Sequence, residues 1–352
     1  MAQQNSHVLF VKRPGVNGAP TPDCFRHEVC ATPDAANLTD GTCIVRSTYL
    51  SVDPAQRCRM NESTGVHYLT PYELNQVVPG LGGVGIVEHT GPNCSFAVGD
   101  IVMGSLHWPW AKYWVAQQAQ LQKVTVPPGY DESIIITYLG LIGLTVLLGL
   151  QEKAHIQANG TQCVLISGAA GACGTLAGQM ARILGAKRVV GVCGSDDKCN
   201  VLTKELGFDA AVNYKQTSDL VSALRKHCPD GVDVYFDNVG GTISENVLEV
   251  MTTNSHVVLC GQISQYNTDL PYPPPISDRA TQLIKDRNIT RERFLVLNYE
   301  EKFPSALQLL AQWLMEGKLK VRQTVSDGIE NTGQAYCDMM NGKNVGKQLV
   351  KV

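Results

Sequence analysis

Three glycines spaced three apart, Gly168, Gly171 and Gly174, close the stretch Cys163-Val-Leu-Ile-Ser-Gly-Ala-Ala-Gly-Ala-Cys-Gly174. An apolar, β-branched run leads into them, and a helix-compatible pattern, Thr175 to Leu184, follows at once. A strand–loop–helix of this kind aims bare backbone N–H groups and the positive end of a helix at one point. The anion that most often satisfies them is a pyrophosphate. Glycine is needed because a Cβ would hold the phosphate too far from the backbone.

A second set of residues bears on which dinucleotide such a loop would hold. The next strand-like run, Arg188 to Gly194, ends in Gly194-Ser195, and Lys198 follows within a turn. A carboxylate near this strand tip accepts from the ribose 2′-OH of NAD, whereas a lysine can neutralise the 2′-phosphate of NADPH. Asp196 and Asp197 admit both readings: ribose acceptors, or cap and first-turn carboxylates of the helix beginning near Lys198. The uncharged strand tip favours NADPH.

The elements that must position these groups are legible in the pattern. Ala211–Asn213, Val232–Asp237 and His256–Cys260 read as further strands. Helix-length segments, Leu220 to Lys226 and Ser244 to Met251 among them, separate the strands. Alternating strands and helices predict a doubly wound parallel sheet of the α/β class. Residues 1 to about 130 are instead strand-and-turn-rich, punctuated by Pro14-Gly15, Pro79-Gly80, Gly82-Gly83 and Pro127-Pro128-Gly129, with strand-like runs at 43–50, 83–88 and 100–103. This predicts an irregular β domain. After Cys260 the pattern gives a strand over Phe294–Leu297, an amphipathic helix over Lys302–Glu316 and a last strand near Gln348–Val352. A compact chain can return that tail to the first domain.

Composition narrows the function classes. The chain has 352 residues, 44% of them hydrophobic, enough for two domains with large cores. Its 29 basic and 32 acidic residues are interspersed, with no basic stripe for nucleic acid. The polar start carries no signal-peptide core, which predicts a cytoplasmic protein. Ile134 to Leu150 is uncharged for 17 residues but contains three glycines, and reads as a buried helix with no membrane insertion. The 12 cysteines and 8 histidines are scattered, with no C-x-x-C and no zinc-ligand spacing, so no metal is expected.

Taken together these residues resemble the medium-chain dehydrogenase/reductase superfamily, and within it the zinc-free enone reductases. The likeness spans nearly the whole chain. Its specific stretches are Leu50-Ser-Val-Asp-Pro54, Arg57-Cys-Arg-Met-Asn61, Trp108-Pro-Trp110, Ser167–Gly174, Val234–Gly241, Cys260–Tyr266 and Asn288–Asn298. The resemblance implies a Rossmann-type sheet over residues 131–299 and a discontinuous GroES-like β-barrel domain over 1–130 and 300–352. It implies NADPH as cofactor, a monomer or homodimer, and reduction of the 13,14 double bond of lipid enones such as 15-keto-prostaglandins. Leu50 stands where zinc-dependent members carry a cysteine, so a hydroxyl must do the work of the Lewis acid. Gly171, Ala172, Cys173 and Gly174 would contact the pyrophosphate, and Lys198 and Tyr214 the 2′-phosphate. Asn238, the run Cys260, Gly261, Gln262, Ile263, Ser264, Gln265 and Tyr266, together with Phe294, Leu295, Val296 and Asn344, would surround the rest of the cofactor. Leu106 and His107 would touch substrate. Tyr266 would hydrogen-bond the substrate ketone, with Tyr68 a second candidate phenol.

Two departures from the family pattern stand out. Ala55-Gln56 replaces Tyr-Met in Val-Asp-Pro-Tyr-Met-Arg. Gly140-Leu-Ile-Gly143-Leu-Thr145 stands for Gly-Met-Pro-Gly-Leu-Thr, and a three-residue shortening there would shift a helix start beside the nicotinamide. Trp108 and Trp110 could serve as packing or as pocket wall. A quinone or general alkenal reductase, and an NADPH-binding protein with little catalysis, are the alternative functions.

Overall fold

The computed structural model describes residues 4–65, 69–271 and 273–352. Six parallel strands form one sheet: β1 (Cys163–Ser167), β2 (Arg188–Cys193), β3 (Ala210–Asn213), β4 (Val232–Asp237), β5 (Met251–Leu259) and β6 (Thr290–Arg293). Their spatial order is β3-β2-β1-β4-β5-β6, so the winding reverses between β1 and β4. A doubly wound sheet opens its ligand crevice at that reversal. The central strands β1 and β2 read as nearly unbroken apolar runs because both of their faces are covered. Val164, Ile166, Val234 and Phe236 enter one core, and their neighbours Leu165, Val190, Tyr235 and Val257 enter the core on the opposite face.

The other half is barrel-like and largely antiparallel. Strands at Thr42–Ser51, Pro79–Thr90, Ile101–Pro109 and Gln122–Lys123 pair in succession, and Tyr113–Gln117 pairs with the first of them. A separate three-stranded sheet joins Asn5–Phe10 to Phe25–Cys30 and Gln76–Val77. The end of the chain rejoins this half: Lys347–Lys351 lies antiparallel to Thr42–Ser51, with Val350 opposite Leu50. The helix Phe303–Met315 packs elsewhere, placing Ala306, Leu310, Trp313 and Leu314 in a core of the parallel-sheet half.

Several elements differ from the sequence reading. The helix expected over Ser244–Met251 runs from Gly241 to Leu248, and Met251 already begins β5. The strand expected over Phe294–Leu297 lies one step earlier, in β6. The apolar run after it turns off the sheet edge and buries Phe294 and Val296 in the core. Alternation there arises from burial in a turn, and periodicity alone cannot distinguish the two. The segment 134–150 forms two helices, Ser133–Thr137 and Leu141–Gly149, built into the core of the parallel-sheet half. Gly140 caps the second. Trp108 and Trp110 are fully buried, which settles them as packing.

Candidate cofactor-binding and active site

The glycine loop leaves β1 at Gly168, whose φ of +56° suits glycine, and reaches the helix Ala172–Leu184 through Gly171. A Cβ on Gly174 would lie 2.3 Å from the Gly168 carbonyl oxygen, so only a bare backbone closes this turn. No side chain caps the helix, which leaves the first-turn N–H groups of Ala172, Cys173 and Gly174 directed at one anion-sized point. The tail reinforces the loop from outside. Gly346 N–H donates to the Ala170 carbonyl at 2.8 Å, and buried Asn344 donates to the Gly346 carbonyl at 2.7 Å. Asn344 is thereby placed beside the glycine loop.

At the tip of β2, Lys198, Tyr214 and Lys215 gather. A Cβ on Gly194 would touch Lys215 Cε and Tyr214 Cε1 at 3.3 Å, and Ser195 Oγ accepts from Lys198 N–H at 3.3 Å as the helix cap. Lys198 Nζ donates to the Gly342 carbonyl at 2.7 Å, and neither lysine has a carboxylate within 4 Å among the described residues. Burial, with the like charge of Lys215 adding to it, holds the Lys198 ammonium below the usual lysine value. A phosphate would relieve both. Asp196 lies in the first turn of the helix capped by Ser195 and accepts from Asn213 Nδ2 at 2.9 Å.

The crevice between β1 and β4 is held by a residue that sequence reasoning missed. Asp237 ends β4 fully buried. Its Oδ1 accepts from Ser167 Oγ at 3.0 Å, Tyr235 Oη at 2.8 Å and the N–H groups of Val239 and Gly240, both at 3.0 Å. Ser244 Oγ donates to Oδ2 at 2.6 Å. Burial first, and then this carboxylate, push the Tyr235 phenol far above its ordinary value, so it stays a donor. Asn238 is pinned at the same point, its N–H on Ser167 Oγ at 3.0 Å and its Nδ2 on the Ser167 carbonyl at 2.8 Å. The available signal was an aspartate closing an apolar strand before Val239-Gly240-Gly241.

The predicted run Cys260–Tyr266 crosses this point. Cys260 and Gly261 donate their N–H groups to the Asp237 carbonyl, Ile263 to the Asn238 carbonyl and Ser264 to the Val239 carbonyl. Ser264 Oγ reinforces that last contact at 2.7 Å, while Gln265 turns to Ser264 and Gln262 is buried. The Cys260 thiol meets Cys173 from the glycine loop. That hydrogen bond and burial push it well above the usual thiol value, so it is inert. Tyr266 is half-buried, its Oη accepting from Gln262 N–H at 3.3 Å. Phe294 and Val296 are core residues, and Phe294 stacks on Tyr299. Leu295 is the partly exposed member of that trio.

On the barrel side Leu106 has a φ of +67° within Ile101–Pro109, where the pairing register shifts opposite Gly80–Gly82. The irregularity turns Leu106 and His107 out of the strand pattern. His107 packs edge-on against Trp114. Desolvation and the charge of Arg59 lower its pKa, so the ring is neutral near pH 7. It makes no hydrogen bond to the Cys260–Tyr266 loop among the described residues, and Tyr68 lies outside them. Leu50 is fully buried between strands, where an aliphatic chain can only pack. Two buried charges were also missed. Lys347 donates to the Val52 carbonyl at 2.6 Å and to Asp53 at 2.9 Å, and Arg57 is fully enclosed on the short helix Gln56–Arg59.

Comparison with known proteins fits this architecture. A family model described as a zinc-binding dehydrogenase matches residues 172–312, and one described as the N-terminal domain of oxidoreductase matches residues 7–124. The chain is 37% identical over its full length, and 99% of the relative's, to YfmJ of Bacillus subtilis (strain 168), provisionally described as an NADP-dependent oxidoreductase. It is 31% identical to an NADPH-dependent curcumin reductase of Escherichia coli (strain K12), over 99% of this chain and 97% of that one. It is 34% identical to prostaglandin reductase 1 of Rattus norvegicus over 95% of each. CurA from Vibrio vulnificus, solved in complex with NADPH, superposes with a TM-score of 0.87 over 99% of both chains at 29% identity. The chain therefore belongs to the medium-chain dehydrogenase/reductase superfamily of oxidoreductases.

Proposed function

We propose that this protein reduces the carbon–carbon double bond of conjugated ketones and aldehydes with NADPH, and that 15-keto-prostaglandins are its substrates, reduced at the 13,14 bond as by prostaglandin reductase 2. The observation that carries the cofactor is the pair of carboxylate-free lysines at the β2 tip beside an uncapped glycine-loop helix. Ala172, Cys173 and Gly174 would hold the pyrophosphate, and Lys198, Tyr214 and Lys215 the 2′-phosphate. Asn238, Cys260–Tyr266 and Leu295 would flank the nicotinamide, which when bound supplies the hydride. The chain's own task is to polarise the carbonyl. With Leu50 standing where zinc-dependent members carry a cysteine, the Tyr266 phenol would be the hydrogen-bond donor to the substrate oxygen. Leu106 and His107 would line the substrate side.

Relatives named for curcumin and 2-alkenal reduction, the latter from Nicotiana tabacum at 34% identity, support the enone class and keep a broad alkenal reductase as the second reading. Initial rates of NADPH consumption on 15-keto-prostaglandin E2, short enals and quinones separate the two. Preference for enals or quinones would favour the second. Tyr266→Phe should lower turnover about 10²–10³-fold, the usual cost of one such donor; unchanged turnover removes Tyr266 from the mechanism.

A further inference from the structure

We infer that Arg57, acting through Asn267, is a positioning residue that aims Tyr266 across the crevice between the two halves of the molecule. The inference rests on the reading of Tyr266 above. Arg57 lies on the helix Gln56–Arg59 of the barrel half, fully buried, with no ion pair among the described residues. Burial alone pulls its guanidinium below the usual arginine value. A cation enclosed without a counter-charge is a costly way to fill space, and an apolar side chain would pack the same volume more cheaply. What the guanidinium provides instead is direction, because its donors form a rigid planar fork.

One Nη donates to Asn61 Oδ1 at 2.8 Å, and the other to the Gly15 and Gly18 carbonyls at 2.7 and 2.9 Å. With the fork so anchored, Nε has one remaining direction, and it donates there to Asn267 Oδ1 at 2.9 Å. Asn267 directly follows Tyr266. Two residues further on, Asp269 N–H donates to Asn17 Oδ1 at 2.8 Å, so the barrel half grips this segment at a second point. The other side of the segment is fixed to the parallel sheet through the Asp237, Asn238 and Val239 carbonyls. Tyr266 is thus the joint between a loop clamped to the cofactor-binding half and a loop clamped to the barrel half. Its ring orientation reports how the halves are set.

The test uses the full chain. Asn267→Ala should lower kcat on the reduced enone by between about ten- and a hundredfold, the range expected when a reacting contact is displaced by about 1 Å. Its NADPH affinity should stay at the wild-type value, while Tm falls because the buried Arg57 Nε loses its acceptor. Asn267→Asp keeps an acceptor for Arg57 Nε and should restore most of the rate. In a Tyr266→Phe background, Asn267→Ala should change kcat less than twofold, because the residue being aimed is gone. Fluorine NMR with 3-fluorotyrosine, Tyr266 being assigned by Tyr266→Phe, gives a readout independent of turnover: its resonance should shift in Asn267→Ala. An unmoved resonance, or equal losses with and without the Tyr266 hydroxyl, overturns the inference. A shifted resonance in a protein that reduces no enone leaves the positioning intact and overturns the proposed function.

Discussion

Asp237 offers the most exacting test of how the crevice is built. Asp237→Asn keeps the oxygen that serves Ser167, Tyr235, Val239 and Gly240, but presents an amide to Ser244 and removes the charge. Hydrogen bonds to a charged acceptor contribute about 1.5–3 kcal/mol and neutral ones about 0.5–1.5 kcal/mol, so each retained bond loses about 1 kcal/mol. Four such bonds give about 4 kcal/mol as an upper figure. Neighbouring bonds in one network do not add fully, so about 2–4 kcal/mol is expected. Asp237→Ala would leave the Ser167 hydroxyl and the Val239 and Gly240 N–H groups without this acceptor at about 1–3 kcal/mol each, a loss comparable to much of the stability of a domain, and should not yield folded protein. Denaturant unfolding of Asp237→Asn should show a lower midpoint, with NADPH affinity falling in parallel as the Asn238–Gly241 turn loosens. A midpoint equal to wild type would refute the argument that this carboxylate holds the switch point together.

Lys198→Ala should raise KM for NADPH about ten- to hundredfold, the equivalent of one charge-assisted phosphate contact, while leaving NADH rates nearly unchanged in steady-state assays. Asp53→Ala strands the Lys347 ammonium, whose side chain is 3% exposed, and should cost about 3–5 kcal/mol in chemical unfolding. Adding Lys347→Met should recover most of that loss. Burial and the charge of His155, whose ring lies 4.9 Å away, depress the His256 pKa below its ordinary 6.5. The unfolded chain therefore binds the extra proton first, and stability falls as pH drops below about 6.5 with a slope of at most about 1.4 kcal/mol per pH unit from this group. Unfolding of His256→Phe across that window should show a shallower pH dependence.

The parts of this protein legible in its sequence are those in which neighbouring residues decide the outcome. The glycine loop, its strand and its helix lie within 22 residues, 163 to 184, and the loop works through backbone groups that spacing alone reveals. Lys198 could be read because cofactor choice turns on whatever follows one strand tip. Asp196 could not be resolved locally, since its role depends on Asn213 at the end of a different strand. The same limit shifted the strand near 294, where Phe294 and Val296 alternate because one turn buries both.

What the sequence hid is the machinery that joins distant segments. Arg57 meets Asn267 across 210 positions, Lys347 meets Asp53 across 294, and Asp237 draws on Ser167 seventy positions away. None of these pairs has a spacing signature, because no periodic element contains both members. The consequence is functional as well as methodological. Gripping a dinucleotide is a local backbone task, so a chain of this superfamily can announce its cofactor in a dozen residues. Placing a phenol against a carbonyl requires the barrel half and the sheet half to agree on a position, and only side chains reaching between them can enforce it. Two relatives with the same glycine loop can therefore differ in the enone they accept through contacts such as Arg57 to Asn267. Exchanging that pair between relatives should move substrate preference while leaving NADPH affinity where it was.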